Sequence, residues 1–276
     1  MKNRAVVFAA AVSVFSAGAS ANHHVMQIQL VIGGVNGDTG AQAIQLRQRF
    51  AGQNVVSAGR IRAYDANGLN GITIIDFTTN VPNAQGGDTI LVCTSGFVSK
   101  TAPATVADFI MTNPIPVAYL AAGRITFEAD AGTIWWSLAY GGAAYLGSNT
   151  LNVTNDSDGN AAPAFGTGLP TSSTKALQYN GAASGASTTN LANYAITAGA
   201  AVVVNNARVG FTVKAACSGD LNNDGFVDDA DFVLFAAAYD ELVCSGACPA
   251  DLNNDAFVDD ADFVVFAAAY DVLLCP

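Results

Sequence analysis

The sequence predicts a multidomain protein in which a mainly-β, sandwich-like N-terminal domain is followed by a small α-helical module. As far as Lys214 the chain consists of short apolar segments separated by turn clusters, a pattern typical of antiparallel β-domains. Beyond Lys214, one pattern of 27 positions occurs twice at a period of 31 residues, with 21 positions identical, which indicates an internal duplication. Charge separates the two parts as well, because residues 215–276 hold thirteen acids and no Lys or Arg.

Residues 1–21 predict a secretory leader. Lys2 and Arg4 precede an apolar run over 5–15, and small residues follow it up to Ala19-Ser20-Ala21, an order typical of a signal peptide cleaved after Ala21. The run is too short for an ordinary membrane-spanning helix. We therefore expect no membrane span in the mature chain, with a retained N-terminal anchor as the alternative. A secreted or cell-surface location gives access to disulfide formation and to abundant calcium.

Nine apolar segments predict the strands of the body, which we define as residues 22–214. Each is five to eight residues long and rich in strand-forming residues: 26–32, 43–50, 60–64, 72–77, 89–93, 124–128, 133–140, 200–204 and 209–213. Apolar and polar residues alternate over 43–50, as in a strand with two different faces. One helix is predicted over 105–111, before Pro114. About 190 residues suffice for one substantial core, so we expect one sandwich-like or barrel-like domain.

The opening strands of the body resemble a known family. The run Ala43-Ile44-Gln45-Leu46, which follows a Gly-rich turn, is similar to the start of bacterial lamin-tail-like, immunoglobulin-type domains. The resemblance implies a β-sandwich and no particular activity.

No catalytic constellation can be read from the body. The sequence lacks metalloprotease, nucleophile-elbow and phosphate-loop motifs. Its only histidines, His23 and His24, stand at the expected mature N-terminus, where we expect a flexible chain. Four acids lie at or near strand segments, with no spacing that marks two of them as a glycosidase pair: Asp76, Asp88, Glu128 and Asp130. We therefore predict no catalytic residue and no enzyme activity.

Trp135 and Trp136 are the best candidates for ligand binding in the body. Because neighbours on a strand face opposite ways, one is expected in the core and the other at the sheet surface. An exposed tryptophan could stack on a sugar ring, so polysaccharide is a candidate ligand. The alternative is that both side chains serve packing alone.

Oxygen-bearing residues recur at fixed spacing in the two repeats of the tail, residues 215–276. Positions 1, 3, 5, 7, 9 and 12 of the first loop are Asp220, Asn222, Asp224, Phe226 (through its carbonyl), Asp228 and Asp231. The second loop has Asp251, Asn253, Asp255, Phe257 (again through its carbonyl), Asp259 and Asp262. This is the spacing of an EF-hand calcium loop, in which a curled chain turns alternate oxygens toward one hard cation. We therefore predict two bound Ca²⁺ ions.

The two loops differ at position 6, where the chain bends sharply. The first loop has Gly225 and the second has Ala256, so the bend should cost about 1 kcal/mol more in the second loop. A weaker second site is expected. Val227 and Val258, at position 8, are predicted to pair the loops through an apolar contact.

A helix is predicted after each loop. Acids at its start suit the helix dipole, and aromatic residues spaced by three and four form one apolar face. Four phenylalanines are expected in the core of the tail rather than at its surface: Phe232, Phe235, Phe263 and Phe266.

This loop-then-helix unit, present twice over 220–244 and 251–275, resembles a type I dockerin module. The resemblance implies a calcium-stabilised module that docks to a cohesin-like extracellular protein. Cellulosomal dockerins are similar to one another in a Ser/Thr pair at loop positions 10 and 11. Here these positions are Asp229-Ala230 and Asp260-Ala261, so another extracellular protein is an equally good candidate partner.

Four of the five cysteines flank the repeats: Cys217, Cys244, Cys248 and Cys275. If the two helices lie antiparallel, the end of the second returns to the start of the first loop. That geometry favours Cys217–Cys275 together with Cys244–Cys248. The rival pairing, Cys217–Cys244 with Cys248–Cys275, stays open, as does a tetrathiolate zinc site. Cys93 is expected to be a buried, unpaired strand residue.

The sequence as a whole predicts an exported calcium-binding protein whose tail attaches a non-catalytic β-domain to a partner. The alternative is a dockerin-bearing, polysaccharide-degrading enzyme or carbohydrate-binding protein. Nucleic acid is not expected as a partner, because nine acids balance nine bases over 22–214 and phosphate contacts need clustered Lys and Arg.

Overall fold

The computed structural model describes residues 23–148, 163–182, 189–222, 224–243, 248–253 and 255–273. Over these residues the protein is mostly β-sheet with a few short helices, and two longer helices lie toward the C-terminus. The predicted leader, residues 1–21, lies outside the described residues. The division into body and tail stays a prediction, and both names are kept below for the two stretches of chain.

The described residues of the body form thirteen strands: β1 (Met26–Ile32), β2 (Ala43–Gln48), β3 (Gly59–Tyr64), β4 (Ile72–Asp76), β5 (Thr89–Cys93), β6 (Thr101–Ala102), β7 (Phe109–Ile110), β8 (Gly123–Ala129), β9 (Ile134–Tyr140), β10 (Leu177–Tyr179), β11 (Tyr194–Ile196), β12 (Val202–Val204) and β13 (Gly210–Val213). The helices are α1 (Val117–Leu120), α2 (Asn190–Asn193), α3 (Asp229–Glu241) and α4 (Asp260–Tyr270), with 3₁₀ turns at Ser95–Lys100 and Gly142–Ala144. All nine predicted strand segments are confirmed, with ends that differ by at most two residues.

The strands form three sheets. A six-stranded sheet has the order β11-β10-β1-β2-β5-β7, a four-stranded sheet the order β4-β3-β8-β9, and a three-stranded sheet the order β12-β13-β6. Neighbouring strands are antiparallel, except that β5 and β7 run parallel. The six-stranded sheet contributes to two cores, because successive side chains of a strand point to opposite faces.

The larger core lies between the six-stranded and four-stranded sheets, where Ile44 and Leu46 of β2 cluster with Phe127 and Leu138. A second core joins the other face of the six-stranded sheet to the three-stranded sheet. The polar positions of β2 therefore do not all face water. Gln45 is buried, and its Oε1 accepts a hydrogen bond from the N–H of Val204 (2.5 Å). The body thus has three layers, one more than a two-sheet sandwich.

The helix predicted over 105–111 is wrong. Part of this segment is β7, which pairs with β5. The N–H groups of Asp108 and Met111 donate to the carbonyls of Leu91 (3.0 Å) and Cys93 (2.8 Å). Because these backbone groups bond to a neighbouring strand, they are not available for helical hydrogen bonds.

Trp135 and Trp136 are both buried, at 7% and 0% exposure. The expectation of one core and one exposed tryptophan is therefore wrong. Register shifts between Phe127 and Glu128 in the pairing of β8 with β9, and such a bulge breaks the strict alternation of faces. Both indoles belong to the larger core, so neither offers a surface for a sugar ring.

The tail contains α3 and α4, each preceded by one acidic loop. Its small core contains Val227, Phe235, Ala250, Val258 and Phe266. The chain is tied to the body up to the start of the tail, because Lys214 N–H donates to the carbonyl of Lys100 (2.9 Å) and Asn36 Nδ2 donates to the carbonyl of Lys214 (3.0 Å).

Candidate metal centres

Each acidic loop ends where its helix begins. Asp228 is the N-cap of α3, and its carboxylate accepts a hydrogen bond from the N–H of Ala230 (2.9 Å). Asp231 completes a capping box, because its Oδ2 accepts from the N–H of Asp228 (3.0 Å). Asp259 and Asp262 do the same at the start of α4. In each repeat, therefore, the two carboxylates that form the capping box both close the loop and start the helix.

Three carboxylates converge in the first loop: Asp220, Asp224 and Asp231. One oxygen of each lies within 4.8 Å of the others. Asp231 is fully buried, and its Oδ1 accepts hydrogen bonds from the N–H groups of Leu221 (2.7 Å) and Asn222 (2.9 Å). These bonds connect the start of the loop to position 12, so the loop closes on itself.

The second loop repeats the arrangement with Asp251, Asp255 and Asp262, whose oxygens also lie within 4.8 Å of one another. Asp262 is fully buried, and its Oδ1 accepts from Leu252 (2.7 Å) and Asn253 (2.9 Å). The structure thus brings positions 1, 5 and 12 of each loop together, as their spacing predicts.

The arrangement could hold a metal ion. Oxygens that bind one Ca²⁺ at about 2.4 Å lie no more than about 4.8 Å apart, and the three carboxylate oxygens of each loop lie within that limit. Asp and Asn oxygens are the ligands that this hard cation takes. Three like charges at this distance repel one another, and a divalent cation would remove that repulsion.

The pKa values reflect the crowding of acids and donors in the two loops. Burial, together with the negative charges of Asp231 and Asp224, raises the pKa of Asp220. Burial also opposes ionisation of Asp262, but hydrogen bonds from the N–H groups of Asp259, Asn253 and Leu252 outweigh it and lower the pKa of that carboxyl. Backbone donors thus favour the ionised form of Asp262.

The remaining predicted ligands lie around the carboxylates. Asn222 Oδ1 accepts from the N–H of Asp224 (2.8 Å), and Asn253 Oδ1 accepts from the N–H of Asp255 (2.9 Å), so both amides form hydrogen bonds within their own loops. Phe226 extends its ring to the surface, as does Phe257. The main-chain carbonyl is then the oxygen that each can offer. The position-9 carboxylates act as helix caps, as described above.

Position 6 has a positive φ in both loops: +97° at Gly225 and +75° at Ala256. The left-handed region suits glycine and is costly for residues with a Cβ. The bend predicted from the calcium-loop pattern is therefore present in both loops, with an alanine in the second.

The two repeats contact each other reciprocally. The N–H of Val227 donates to the carbonyl of Leu273 (3.1 Å), and the N–H of Val258 donates to the carbonyl of Leu242 (3.1 Å). Each loop is thus tied to the segment that follows the other repeat's helix. Both valine side chains are buried in the core of the tail, where the predicted apolar contact between the loops would lie. Their backbone hydrogen bonds, however, do not connect one loop to the other.

Two tyrosines complete this reciprocal arrangement. Tyr239, near the end of α3, donates its hydroxyl to Asp260 Oδ1 (2.6 Å), and Tyr270, at the end of α4, donates to Asp229 Oδ1 (2.5 Å). Each helix end therefore contacts the start of the other helix, so α3 and α4 lie antiparallel. The sequence pattern did not point to these contacts. The signal that could have found them is the acid at position 10 of each loop, Asp229 and Asp260.

The four phenylalanines divide into two pairs. Phe235 and Phe266 are buried and stacked, with ring centroids 5.0 Å apart. Phe232 and Phe263 are 44% exposed, so the prediction that all four form the core is wrong for this pair. The contact between α3 and α4 fully buries only one phenylalanine of each helix, and Phe232 and Phe263 lie at its edge, beside Phe266 and Phe235.

Cys93 is free and buried, as predicted. Burial raises the pKa of its thiol to about 11. Cys217 and Cys248 each take part in a disulfide bond, and both pack against the core of the tail. The pairing stays a prediction, because Cys244 and Cys275 lie outside the described residues.

Carboxylates that the sequence left unpaired come together on the four-stranded sheet. Arg60 pairs across strands with Asp76 on one side and Glu128 on the other, and its Nε lies 2.9 Å from Glu128 Oε1. Burial, together with the nearby charge of Asp76, raises the pKa of Asp130.

The sequence led us to expect a flexible chain at His23 and His24. That expectation is wrong for His23. His23 is 1% exposed, and its ring contacts Trp135 edge-on at a centroid distance of 4.4 Å. Burial lowers the pKa of His23. His24 is only partly buried. The two adjacent histidines therefore differ in access to solvent.

No known protein family matches this chain, and no curated protein sequence is significantly similar to it. Functional inference rests on its residues and geometry. Within the described ranges, no helix is long and apolar enough to cross a lipid bilayer.

Proposed function

We propose that this is an exported calcium-binding protein whose dockerin-like tail attaches a non-catalytic β-domain to an extracellular protein. The observation that carries the proposal is the pair of acidic groups, Asp220, Asp224 and Asp231 in one loop and Asp251, Asp255 and Asp262 in the other. Each offers carboxylate oxygens, the kind of ligand that Ca²⁺ takes.

The coupling between the repeats supports a role for calcium in folding of the tail. Each loop donates a backbone hydrogen bond to the other repeat, and each loop places its acid at position 10 on the other repeat's tyrosine. A cation that orders one loop therefore also orders contacts of the other. We propose that two Ca²⁺ ions hold the tail in the form that binds its partner.

Calcium titration of the mature protein by calorimetry, after treatment with chelator, tests the metal proposal. We expect two bound ions per chain. Asp224→Ala and Asp255→Ala remove exposed carboxylates from one loop each, so each should weaken one site by on the order of tenfold or more. Asp240→Ala, in α3 and outside the loops, is the matched control and should bind two ions normally. Equal binding by all four proteins would contradict the proposal.

Attachment is tested separately, by binding of the mature protein to immobilised extracellular proteins, cohesin domains among them. We expect capture in calcium and release in chelator. Capture that survives loss of both loops would assign attachment to the body instead.

The non-catalytic role of the body is tested against a panel of polysaccharides, with binding and hydrolysis measured in parallel. Hydrolysis would replace this part of the proposal with a polysaccharide-degrading enzyme. Binding without hydrolysis would identify a carbohydrate-binding domain.

A further inference from the structure

The two acidic loops differ in their surroundings as well as at position 6. Asp220, the first predicted ligand of the first loop, lines a cavity of about 470 Å³ together with Lys100 and Lys214 of the body. The second repeat contributes Pro249 and Leu252 to this cavity, and neither is a predicted calcium ligand. The first loop therefore lies beside basic residues of the body.

Lys214 is the last residue of the body, and its backbone is fixed there. Its N–H donates to the carbonyl of Lys100 (2.9 Å), and its own carbonyl accepts from Asn36 Nδ2 (3.0 Å). Its side chain extends to the first loop, because Lys214 Nζ lies 3.5 Å from the point where a Cβ on Gly225 would stand. Gly225 is position 6 of that loop, and its N–H donates to Asp220 Oδ2 (3.0 Å).

The two lysines of the cavity differ in their partners. Lys100 Nζ lies 3.3 Å from Asp38 Oδ2, so a neighbouring carboxylate balances its charge. Lys214 forms no ion pair within the ranges that the structure describes. Residues 215–276 contain no Lys or Arg, so the tail has no base of its own to place at either loop. The first loop thus has a positive charge from the body at its bend.

We propose that Lys214 lowers the calcium affinity of the first loop through this charge, and so couples the loop to the body. The amine attracts the carboxylates of the loop and repels a divalent cation, and both effects oppose binding. Because linkage is reciprocal, a cation in the first loop weakens the contact of Lys214 with that loop by the same factor. The inference rests on the calcium binding proposed above.

The charge of Lys214 would offset the difference between the loops at position 6. The second loop has Ala256 at positive φ, which opposes its folded form, whereas the first loop has Gly225. With Lys214 acting on the first loop alone, each loop has one feature that weakens it. The two ions would then bind over more similar ranges of calcium concentration than position 6 alone predicts.

The test compares Lys214→Gln with its parent in the mature protein. Both chains also carry Asp255→Ala, which weakens the second loop, so that calorimetric titration with Ca²⁺ reports the first. We expect Lys214→Gln to tighten binding by on the order of threefold at low salt. The difference should nearly vanish in about 0.5 M salt, because mobile ions screen the charge. Lys214→Arg keeps the charge and should bind like the parent.

Two controls separate this effect from a general change of charge. Lys175→Gln removes a lysine of the body that does not line the cavity, and it should leave the first loop unchanged. In a chain with Asp224→Ala, which reports the second loop, Lys214→Gln should have no effect. An unchanged first loop, an equal effect on both loops, or a gain that persists at high salt would overturn the proposal.

Failure of this inference can be told from failure of the calcium proposal. If the wild-type protein binds two ions and Lys214→Gln leaves the first loop unchanged, only the role of Lys214 is refuted. If the wild-type protein binds no calcium at any salt concentration, both proposals fall.

Discussion

At the scale of single residues, the two calcium-loop candidates form a comparison within one molecule. Their carboxylates accept equivalent hydrogen bonds, yet position 6 is Gly225 in one loop and Ala256 in the other, both at positive φ. A Cβ in this conformation costs about 1 kcal/mol. The alanine therefore strains the folded form of the second loop, which is the form that we propose binds the cation.

We predict that Ala256→Gly tightens calcium binding at the second site and that Gly225→Ala weakens it at the first. Each change should be about fivefold, which corresponds to about 1 kcal/mol. Calorimetric titration of both variants measures the effect. An unchanged affinity in both would show that loop strain is relieved elsewhere.

A second prediction concerns one ion pair of the body. Hydrogen bonds from Arg208, together with its charge, lower the pKa of Asp88. A lowered carboxyl pKa adds stability above the unfolded value of 3.8, and this stability is lost as pH falls through the folded value. Arg208→Gln should therefore reduce stability at pH 7 and matter little near pH 2.

Urea unfolding at the two pH values, followed by tryptophan fluorescence, measures this difference. The effect should be small and salt-dependent, because the arginine is half-exposed and solvent screens the pair. A loss of equal size at both pH values would mean that Arg208 acts through packing.

At the scale of elements, α3 and α4 depend on each other. Neither helix buries a wide apolar stripe, and the tail core consists of a few residues from both repeats. Stacked Phe235 and Phe266 join the helices, while Tyr239 and Tyr270 tie each helix end to the other helix start. A helix of eleven or thirteen residues is marginal by itself in water, so we expect the two to form together.

We predict that Phe266→Ala destabilises the tail by about 3–5 kcal/mol, the usual cost of removing a buried phenylalanine. That is as much as so small a core usually supplies, so both helices should be lost. Phe263→Ala is the matched control in the same helix, and its half-exposed ring should cost little. Thermal unfolding in calcium, followed by far-ultraviolet circular dichroism, measures both.

At the scale of the whole molecule, the excess of acidic residues and the tryptophans lie on opposite sides of the boundary between body and tail. The thirteen acids of 215–276 lie in the tail, and both tryptophans lie in the body. The body has two cores of its own, and the tail has a third. Fluorescence therefore follows the body, and loss of helix follows the tail.

We predict that chelator unfolds the tail and leaves the body intact. The helical signal should fall and return on addition of calcium, because like charges in the loops repel once the cation is removed. Tryptophan fluorescence should not change. A simultaneous change of both signals would show that the tail and body fold as one unit.

The sequence alone determined much of the local structure. Strand segments, loop spacing and helix starts follow from periodicity and capping residues within a few positions of one another, and so the nine strands and the convergence of Asp220, Asp224 and Asp231 could be predicted. Because the repeat has a fixed period, the carboxylates of the second loop could be predicted from those of the first.

Tertiary structure decided what depends on contacts between distant segments. A bulge buried both tryptophans, pairing with β5 replaced the helix expected over 105–111, and a third sheet covered the polar face of β2. It also withdrew His23 and left His24 partly exposed. The physical reason is common to all four. A residue's burial and hydrogen bonds are set by neighbours that lie far along the chain, and local periodicity contains no information about them.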